Sequence, residues 1–339
     1  MHFFLLFSSF FALVVTSYLA CKYLVYFSHK HSILDEKNLR SSHVHPTPRI
    51  GGLSFTSLIF LMLIVFFYLG ELSISSHYYL ALIVPPFLVS IISIIDDLRN
   101  GISRVLRLSV HLLASAFALL LLVSVPKDLL QLIVFLISVI SIAWFINLFN
   151  FMDGIDGIAA SESIFVISTS AGFSFFAEKS DWATIQLIMV APIVGFTIIN
   201  WQPAKIFMGD VGSTFLGILL PIVLIISIQQ DVMTIWSAII LTSSFLVDAS
   251  WTLATRFLTG QKWHQPHRSH LYQILSRELG SHSKVCLFNL AFNICWILPL
   301  SIAALVYSNL GQLFTLCALL PITLLCIMRK AGKPEASRH

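Results

Sequence analysis

Long apolar runs separated by short polar stretches make up nearly the whole chain. Each run is close to the ~20 residues that an α-helix needs to cross a bilayer. The pattern predicts an all-α, polytopic membrane bundle of about eleven helices, which forms a single domain over residues 1–339. The predicted segments are 3–27, 51–70, 78–95, 106–125, 129–149, 158–177, 183–201, 213–230, 232–255, 284–305 and 307–328.

The composition supports a membrane protein. Hydrophobic residues make up 57% of the chain and charged residues 11%, with a mean hydropathy of +0.89, whereas soluble domains carry roughly 25% charged residues. The five cysteines show no paired spacing, so we expect reduced thiols. The first apolar run is too long for a signal peptide and predicts an uncleaved anchor.

Basic residues alternate between the two sides of the predicted bundle. Seventeen of the 20 lysines and arginines lie in the loops after odd-numbered segments or in the C-terminal tail, whereas the opposite loops hold only Lys127 and Lys179. The positive-inside rule therefore predicts a periplasmic N-terminus and a cytoplasmic C-terminus.

All unusual polar clusters fall in the predicted cytoplasmic loops. A transporter is expected to place polar residues along a path near the middle of the bilayer. Loops that converge on one face indicate an active site at the cytoplasmic membrane surface instead. The clusters are His43–Gly52, Asp96–Arg107, Asn147–Gly157, Gln202–Ser213 and Arg256–Gln273.

The stretch NLFNFMDGIDGIAA, residues 147–160, lies between two long apolar runs and holds two asparagines and two aspartates within ten residues. Carboxylates at a membrane boundary are costly unless they are hydrated, paired or bound to a cation. Asp153 and Asp156, together with Asn150, suit a hydrated magnesium–phosphate site. The alternative is that Asp156 caps the next helix while the asparagines bond neighbouring helices.

Asp96 and Asp97 end the third segment, where two negative charges repel each other and oppose the helix dipole. Either Mg²⁺ or a nearby arginine has to compensate them. One of these carboxylates could also take a proton from a nucleophile. The candidate arginines are Arg99, Arg104 and Arg107.

Two further loops carry candidate phosphate-binding groups. Arg49 follows Pro46 and Pro48 and suits either a phosphate or a lipid head group. Asp210 opens the eighth segment, where free backbone N–H groups favour an anion, although an ordinary N-cap is the alternative. Phe207 suits either base stacking or a membrane interface.

The predicted loop 256–283 is the longest and is expected to recognise substrate. Its histidines recur every third residue around Arg268, and contact with phosphate or sugar is favoured over zinc because no cysteine or carboxylate is nearby. Asp248, inside the ninth segment, is either a packing residue or a catalytic one. The histidines are His264, His267 and His270.

Five motifs in order resemble those of the polyprenyl-phosphate N-acetylhexosamine-1-phosphate transferases: HPTPRIGG, IIDDLR, NLFNFMDGIDGIA, FMGDVGSTFLG and PHRSHLYQ. The resemblance implies an enzyme of the bacterial inner membrane with a cytoplasmic active site. It would transfer N-acetylhexosamine-1-phosphate from a UDP-sugar to undecaprenyl phosphate and release UMP. Mg²⁺ is the expected cofactor, with Mn²⁺ as an alternative; a homodimer is compatible, and no nucleic-acid partner is expected.

The resemblance also implies roles for single residues. Asp96, Asp97 and Asp210 would be catalytic, and the metal ligands would be Asp210, Asp97 and Asn150. The substrate-binding residues would be Arg49, Asn150, Asp153, Asp156, Phe207, His267, Arg268 and His270.

Two departures distinguish the chain from the peptidoglycan branch, the phospho-N-acetylmuramoyl-pentapeptide transferases. PHRSH replaces a run of three histidines, and DDLRN lacks the lysine of that branch. Both indicate the branch that initiates O-antigen and related surface polysaccharides. The peptidoglycan activity is the alternative within the family, and a transporter of lipid-linked sugars is the alternative outside it. The sugar itself is left open.

Overall fold

A computed structural model describes residues 2–31, 47–70, 72–98, 101–262, 265 and 267–334. These residues form helices and no β-strand, which confirms the predicted all-α class. The helices are α1 His2–Lys30, α2 Gly52–Leu69, α3 Ser76–Leu98, α4 Arg104–Leu122, α5 Leu129–Met152, α6 Ile158–Phe176, α7 Ser180–Asn200, α8 Gly209–Gln229, α9 Ile235–Leu241, α10 Ser243–Leu258, α11 Leu271–Leu279, α12 His282–Phe292, α13 Leu298–Val306 and α14 Gly311–Met328. A π-helical turn, Asn293–Ile297, joins α12 to α13.

Within the described ranges, ten helical spans are long and apolar enough to cross a membrane, and a bent pair adds an eleventh. The bent pair is α9 and α10, which meet at 68°, so the predicted segment 232–255 is not one straight helix. At the bend, the Thr242 hydroxyl lies 3.3 Å from the Ala238 carbonyl and 3.2 Å from the Ile239 carbonyl. Hydroxyl groups that compete for backbone carbonyls in this way favour helix bending.

Helix α8 is the centre of the bundle and packs against α2, α3, α4, α5 and α6. Fifteen of its 21 residues are buried. Such close packing without a hydrophobic driving force depends on shape and small residues, as is usual between membrane helices. The start of α8 consequently lies beside the start of α2 and the ends of α3 and α5. We call this end of the bundle the site end.

The segment predicted as a loop, 256–283, contains the short helix α11. Asp248 of α10 is only 3% exposed and accepts hydrogen bonds from the amides of Leu271 and Tyr272, at 2.8 and 2.9 Å. A carboxylate that accepts the first free N–H groups of a helix stabilises its N-terminus. This contact gives Asp248 a structural role, which the sequence left open.

Candidate active site

The first and fourth polar loops are joined through their backbones. The Phe207 amide donates to the Pro48 carbonyl at 2.8 Å, and the Gly51 amide donates back to the Phe207 carbonyl at 2.9 Å. Gly209 follows with φ of +71°, and a Cβ at that position would collide with the carbonyl oxygen of Arg49. Glycine is therefore required here, and the pairing fixes where α8 begins.

Asp210, in the first turn of α8, is the residue at which three motifs meet. Its Oδ2 lies 3.2 Å from Nη1 of Arg107, and its Oδ1 accepts a hydrogen bond of 3.0 Å from Nδ2 of Asn150. The Nη2 atom of Arg107 forms an ion pair of 3.1 Å with Asp96. The guanidinium thus bridges carboxylates from α3 and α8, for which its planar fork is suited. For these residues the predicted convergence of polar loops is confirmed.

Of the candidate arginines of the second loop that the structure describes, Arg107 is the one that pairs with Asp96. Arg104 lies three residues earlier and is exposed, and Arg99 lies outside the described residues. A helical repeat of 3.6 residues turns Arg104 and Arg107 to neighbouring faces of α4. Which of the two arginines reaches the carboxylates therefore depends on how α4 is rotated about its axis relative to the neighbouring helices.

The adjacent carboxylates Asp96 and Asp97 have different surroundings. Asp96 is 7% exposed and is held by Arg107. Asp97 is exposed, and its carboxylate is repelled by Asp210 and attracted by Arg49. Asp96 is therefore fixed in an ion pair, whereas Asp97 is the carboxylate of the pair that a ligand can reach.

Asp153 adds another carboxylate at the site end. Burial raises the pKa of Asp153 well above its ordinary value, and repulsion from Asp210 and Asp156 adds to this effect. Arg107 is already shared between Asp96 and Asp210. The repulsion among these carboxylates is what a bound cation would offset.

Behind this ion pair, α4 and α5 are joined by a partly buried hydrogen bond. Nδ2 of Asn147 lies 2.7 Å from the Ala143 carbonyl and 3.2 Å from Nδ1 of His111. The carbonyl fixes the orientation of the amide, so Nδ1 accepts and the imidazole is neutral. His111 lies one turn from Arg107, and Asn147 lies one turn from Asn150. The bond consequently sets the relative position of the two side chains that hold the α8 carboxylate.

Asp156 contacts the fourth loop and α12. Its Oδ2 accepts a hydrogen bond from the Ala204 amide at 3.1 Å, and its Oδ1 lies 3.3 Å from Nδ1 of His282. No pattern in the sequence singled out His282. These contacts hold the third loop in place, and the predicted role of Asp156 near nucleotide and metal stays a prediction.

Tyr272, in the first turn of α11, connects the fifth loop to the third. Its hydroxyl donates to the Phe151 carbonyl at 2.9 Å. Burial raises the pKa of Tyr272 well above its usual value, with repulsion from Asp248 and Asp153 as further causes. The phenol therefore keeps its proton and acts as a donor that docks α11 against the third loop.

The PHRSH segment leads into α11. The rings of His267 and His270 stack with centroids 4.9 Å apart, and His270 also stacks on Tyr272 at 5.7 Å. Nε and Nη2 of Arg268 are buried without a hydrogen-bond partner in the described part of the chain. Buried donors of this kind are costly unless an acceptor binds, and a guanidinium prefers phosphate or carboxylate. His264 lies outside the described residues.

The predicted metal ligands are two carboxylates and an amide, from Asp97, Asp210 and Asn150. Over the described residues, no group of three or more acidic, histidine or cysteine side chains could hold a metal ion. A site that relies on protein ligands alone, such as structural zinc, does not fit this arrangement. Mg²⁺ fits it, because this ion takes one or two carboxylates and completes its shell with water and phosphate oxygens.

Glu162 in α6 is a buried carboxylate that the sequence-based prediction missed. It accepts hydrogen bonds from Ser244, Asn289 and Asn293, at 2.7, 2.9 and 2.7 Å. Its presence inside an apolar span was the available signal. It lies about one turn into α6, close to the site end. A transporter is expected to place its charge near the middle of the bilayer, which does not fit this position.

The fold and the site together define a multi-pass helical membrane protein with an acidic, arginine-bridged site at one end. Residues 79–228 match the family described as Glycosyl transferase family 4. This range runs from α3 to α8 and contains Asp96, Arg107, Asn150 and Asp210.

Individual relatives extend the match. A probable undecaprenyl-phosphate N-acetylglucosaminyl 1-phosphate transferase of Bacillus subtilis (strain 168) is 28% identical over 257 residues, which cover 73% of this chain and 70% of the relative. A phospho-N-acetylmuramoyl-pentapeptide-transferase of Streptococcus uberis is 27% identical over 241 residues, or 63% and 70% of the two chains. The phospho-N-acetylmuramoyl-pentapeptide-transferase of Latilactobacillus sakei is 39% identical over 94 residues, which cover 24% of this chain and 29% of the relative. The resemblance to the polyprenyl-phosphate hexosamine-1-phosphate transferases is thereby confirmed.

Proposed function

We propose that this protein transfers an N-acetylhexosamine-1-phosphate from a UDP-sugar to undecaprenyl phosphate, releasing UMP. The product would be the first lipid-linked intermediate of O-antigen or a related surface polysaccharide. The observation that carries this proposal is the Arg107 bridge between Asp96 and Asp210, which joins motifs of three loops in one acidic site. The similar proteins named above as sugar-phosphate transferases support the same chemistry.

The reaction is a displacement at phosphorus. An oxygen of the lipid phosphate forms a bond to the β-phosphorus of the UDP-sugar, and the bond from that phosphorus to the bridging oxygen of UMP breaks. A phosphate monoester has a second pKa of about 6, so the lipid phosphate is largely dianionic at pH 7. No covalent enzyme intermediate is required, and Asp97 would take the proton from the monoanionic fraction.

The side chains at the site end would mainly bind and orient two anions. Arg49 and Arg268 supply the positive charge that these anions need, and Asn150 holds Asp210 in place. Bound to Asp97, Asp210 and Asn150, Mg²⁺, or Mn²⁺ in its place, would neutralise the charge of the diphosphate and of the leaving UMP. Positioning and electrostatics account for most of the acceleration in such reactions.

The acceptor lipid accounts for the membrane fold. A polyprenyl chain is apolar and stays in the bilayer, so an enzyme that uses it has to present its site at the membrane surface. The basic residues of the loops at the site end favour a cytoplasmic position in the inner membrane. Reporter fusions after Arg338 and within residues 178–182 test this, because the first should behave as cytoplasmic and the second as periplasmic.

The decisive experiment uses purified protein with Mg²⁺, undecaprenyl phosphate and a panel of UDP-N-acetylhexosamines, with UMP and the lipid product measured together. We expect both products in equal amounts from at least one sugar, and neither without the lipid phosphate. A burst of UMP before lipid is added, with phosphosugar retained on Asp96 or Asp97, would contradict direct displacement.

The relatives named as phospho-N-acetylmuramoyl-pentapeptide-transferases make the peptidoglycan substrate the second candidate. The same assay with UDP-N-acetylmuramoyl-pentapeptide decides between them. We expect no turnover of this substrate, because the histidine run of that branch is replaced by PHRSH.

A further inference from the structure

The chain after α14 returns to the fifth loop. The Ala331 amide donates to the Cys326 carbonyl at 2.8 Å, which closes the end of α14. Ala331 is 1% exposed and packs in a cluster with Leu271, Ile274 and Cys326. Residues 329–334, which we call the strap, are therefore built into the protein next to α11.

Gly332 of the strap forms hydrogen bonds to both limbs of the fifth loop. Its amide donates to the Ser269 carbonyl at 2.9 Å, and its carbonyl accepts from Nε2 of Gln261 at 2.8 Å. Ser269 lies between Arg268 and His270, two of the predicted substrate-binding residues. The strap thus reaches the PHRSH segment by its backbone.

Arg256, in the last turn of α10, completes the network from the other side. Its Nη1 lies 2.9 Å from Oε1 of Gln261 and 3.4 Å from the hydroxyl of Ser269. That hydroxyl is 3.0 Å from Nδ1 of His267. Gln261 therefore links the arginine to the strap through opposite ends of one amide.

Glycine is required at position 332 for two reasons. Its φ of +82° is unfavourable for other residues, and a Cβ would lie 2.7 Å from the Thr252 carbonyl oxygen and 2.7 Å from Cβ of Thr255. The strap backbone consequently packs directly on α10, and any larger residue has to move it.

We propose that the strap is a positioning element that holds Arg268 and the stacked histidines for the diphosphate of the nucleotide sugar, with Gly332 and Gln261 as its positioning residues. This inference rests on the proposed function for its ligand. The contacts themselves do not depend on that function. Leu271 and Tyr272, two and three residues beyond Ser269, are bonded to Asp248 and hold the same loop in place.

The test compares two truncations. Ending the chain after Met328 removes the strap, whereas ending it after Pro334 removes only residues 335–339 and is the matched control. We expect the shorter chain to show a KM for UDP-sugar raised by about tenfold or more, with a smaller change in the KM for undecaprenyl phosphate. Amide exchange of residues 261–272 should speed up in the shorter chain alone.

Two point variants keep the test decisive if the truncated chain does not fold. Gln261→Glu keeps the acceptor for Arg256 and loses the donor to Gly332, and we expect it to reproduce the raised KM for UDP-sugar. Gly332→Ala is compared with Gly70→Ala, since Gly70 also has a positive φ but nothing within 4 Å of its Cβ position. Only Gly332→Ala should raise the KM for UDP-sugar and speed up the amide exchange of residues 261–272.

The possible failures are distinct. If the full chain forms no UMP from any sugar, the proposed function fails, and the exchange measurement still decides whether the strap orders the loop. If the full chain is active and the chain ending at Met328 has the same KM values and the same exchange, the strap proposal is overturned.

Discussion

Asp210 in the first turn of α8 and Ser227 in its last turn each anchor a polar cluster, about 26 Å apart along one helix. At Ser227, Nε2 of Gln186 and Nε1 of Trp182 donate to the serine hydroxyl at 3.1 and 2.9 Å. Ser170 and Ser174 complete that cluster by bonding to Gln186, at 2.7 and 3.0 Å. At Asp210, by contrast, the residue itself is charged and one of its partners is the guanidinium of Arg107.

The difference is one of charge balance. All groups around Ser227 are neutral, buried and bonded to one another, so the cluster is complete without a ligand. Around Asp210, the carboxylate of Asp97 is repelled by Asp210 and attracted by Arg49 and Arg107, and the raised pKa of Asp153 reflects how unfavourable a further negative charge is there. Buried polar groups that satisfy each other stabilise packing, whereas unbalanced charge at a membrane boundary is retained for binding. One helix thus supports stability at one end and chemistry at the other.

The largest effect is expected at Asp210. Asp210→Asn removes the charge that pairs with Arg107 and leaves a neutral, weak ligand for a hard cation. We expect turnover to fall about 10³-fold with little change in thermal stability, as measured by UMP release and thermal unfolding. The control is Asp128→Asn at the start of α5, where asparagine caps equally well. Full activity in Asp210→Asn would show that the site is assigned wrongly.

Replacing the bridging arginine should have the next largest effect. In Arg107→Lys the charge is kept, but a single ammonium cannot hold the carboxylates of Asp96 and Asp210 in one plane. We expect kcat/KM to fall by about 10²-fold. Arg104→Lys changes the exposed neighbouring arginine of α4 and should leave kcat/KM nearly unchanged. Full activity in Arg107→Lys would mean that only the charge at this position matters, and an equal loss in both variants would contradict a special role for Arg107.

A smaller effect is expected one turn deeper, at the bond between His111 and Asn147. His111→Leu removes the acceptor on α4 and leaves the Asn147 amide bonded to Ala143 alone, so Arg107 and Asn150 lose their shared support. We expect kcat to fall by about tenfold. His111→Gln supplies a side-chain oxygen as acceptor and should recover most of the rate. Similar kinetics for the leucine and glutamine variants would argue against a positioning role.

No effect on turnover is expected at the other end of α8. Gln186→Leu removes the amide that donates to both Ser170 and Ser227, leaving Trp182 as a donor to Ser227, and should lower stability by about 1–2 kcal/mol. The turnover of the protein that stays folded should match that of the parent. Gln131→Leu, at an exposed position of α5, is the control for added hydrophobicity. A loss of activity in Gln186→Leu at unchanged stability would remove the distinction between the two clusters.

The helices and the motif residues could be predicted from the sequence because both are local properties. A helix in a bilayer must satisfy its backbone hydrogen bonds within itself, so an apolar run of sufficient length is decisive. The predicted segments 51–70 and 129–149, for example, correspond to α2, Gly52–Leu69, and α5, Leu129–Met152. Polar residues at the ends of such runs were visible as candidates for the same reason.

The partners of those residues could not be predicted. Arg107 rather than Arg104 bridges the carboxylates, and Asp96 rather than Asp97 is buried. Asp248 caps α11, a short helix that no apolar run in the sequence predicted. Each of these depends on how far a helix is rotated and how deep it lies relative to its neighbours. The sequence alone determined which residues reach the site end; only the packing of α3, α4, α5 and α8 decided which of them touch, because rotation and depth are set by contacts between distant segments.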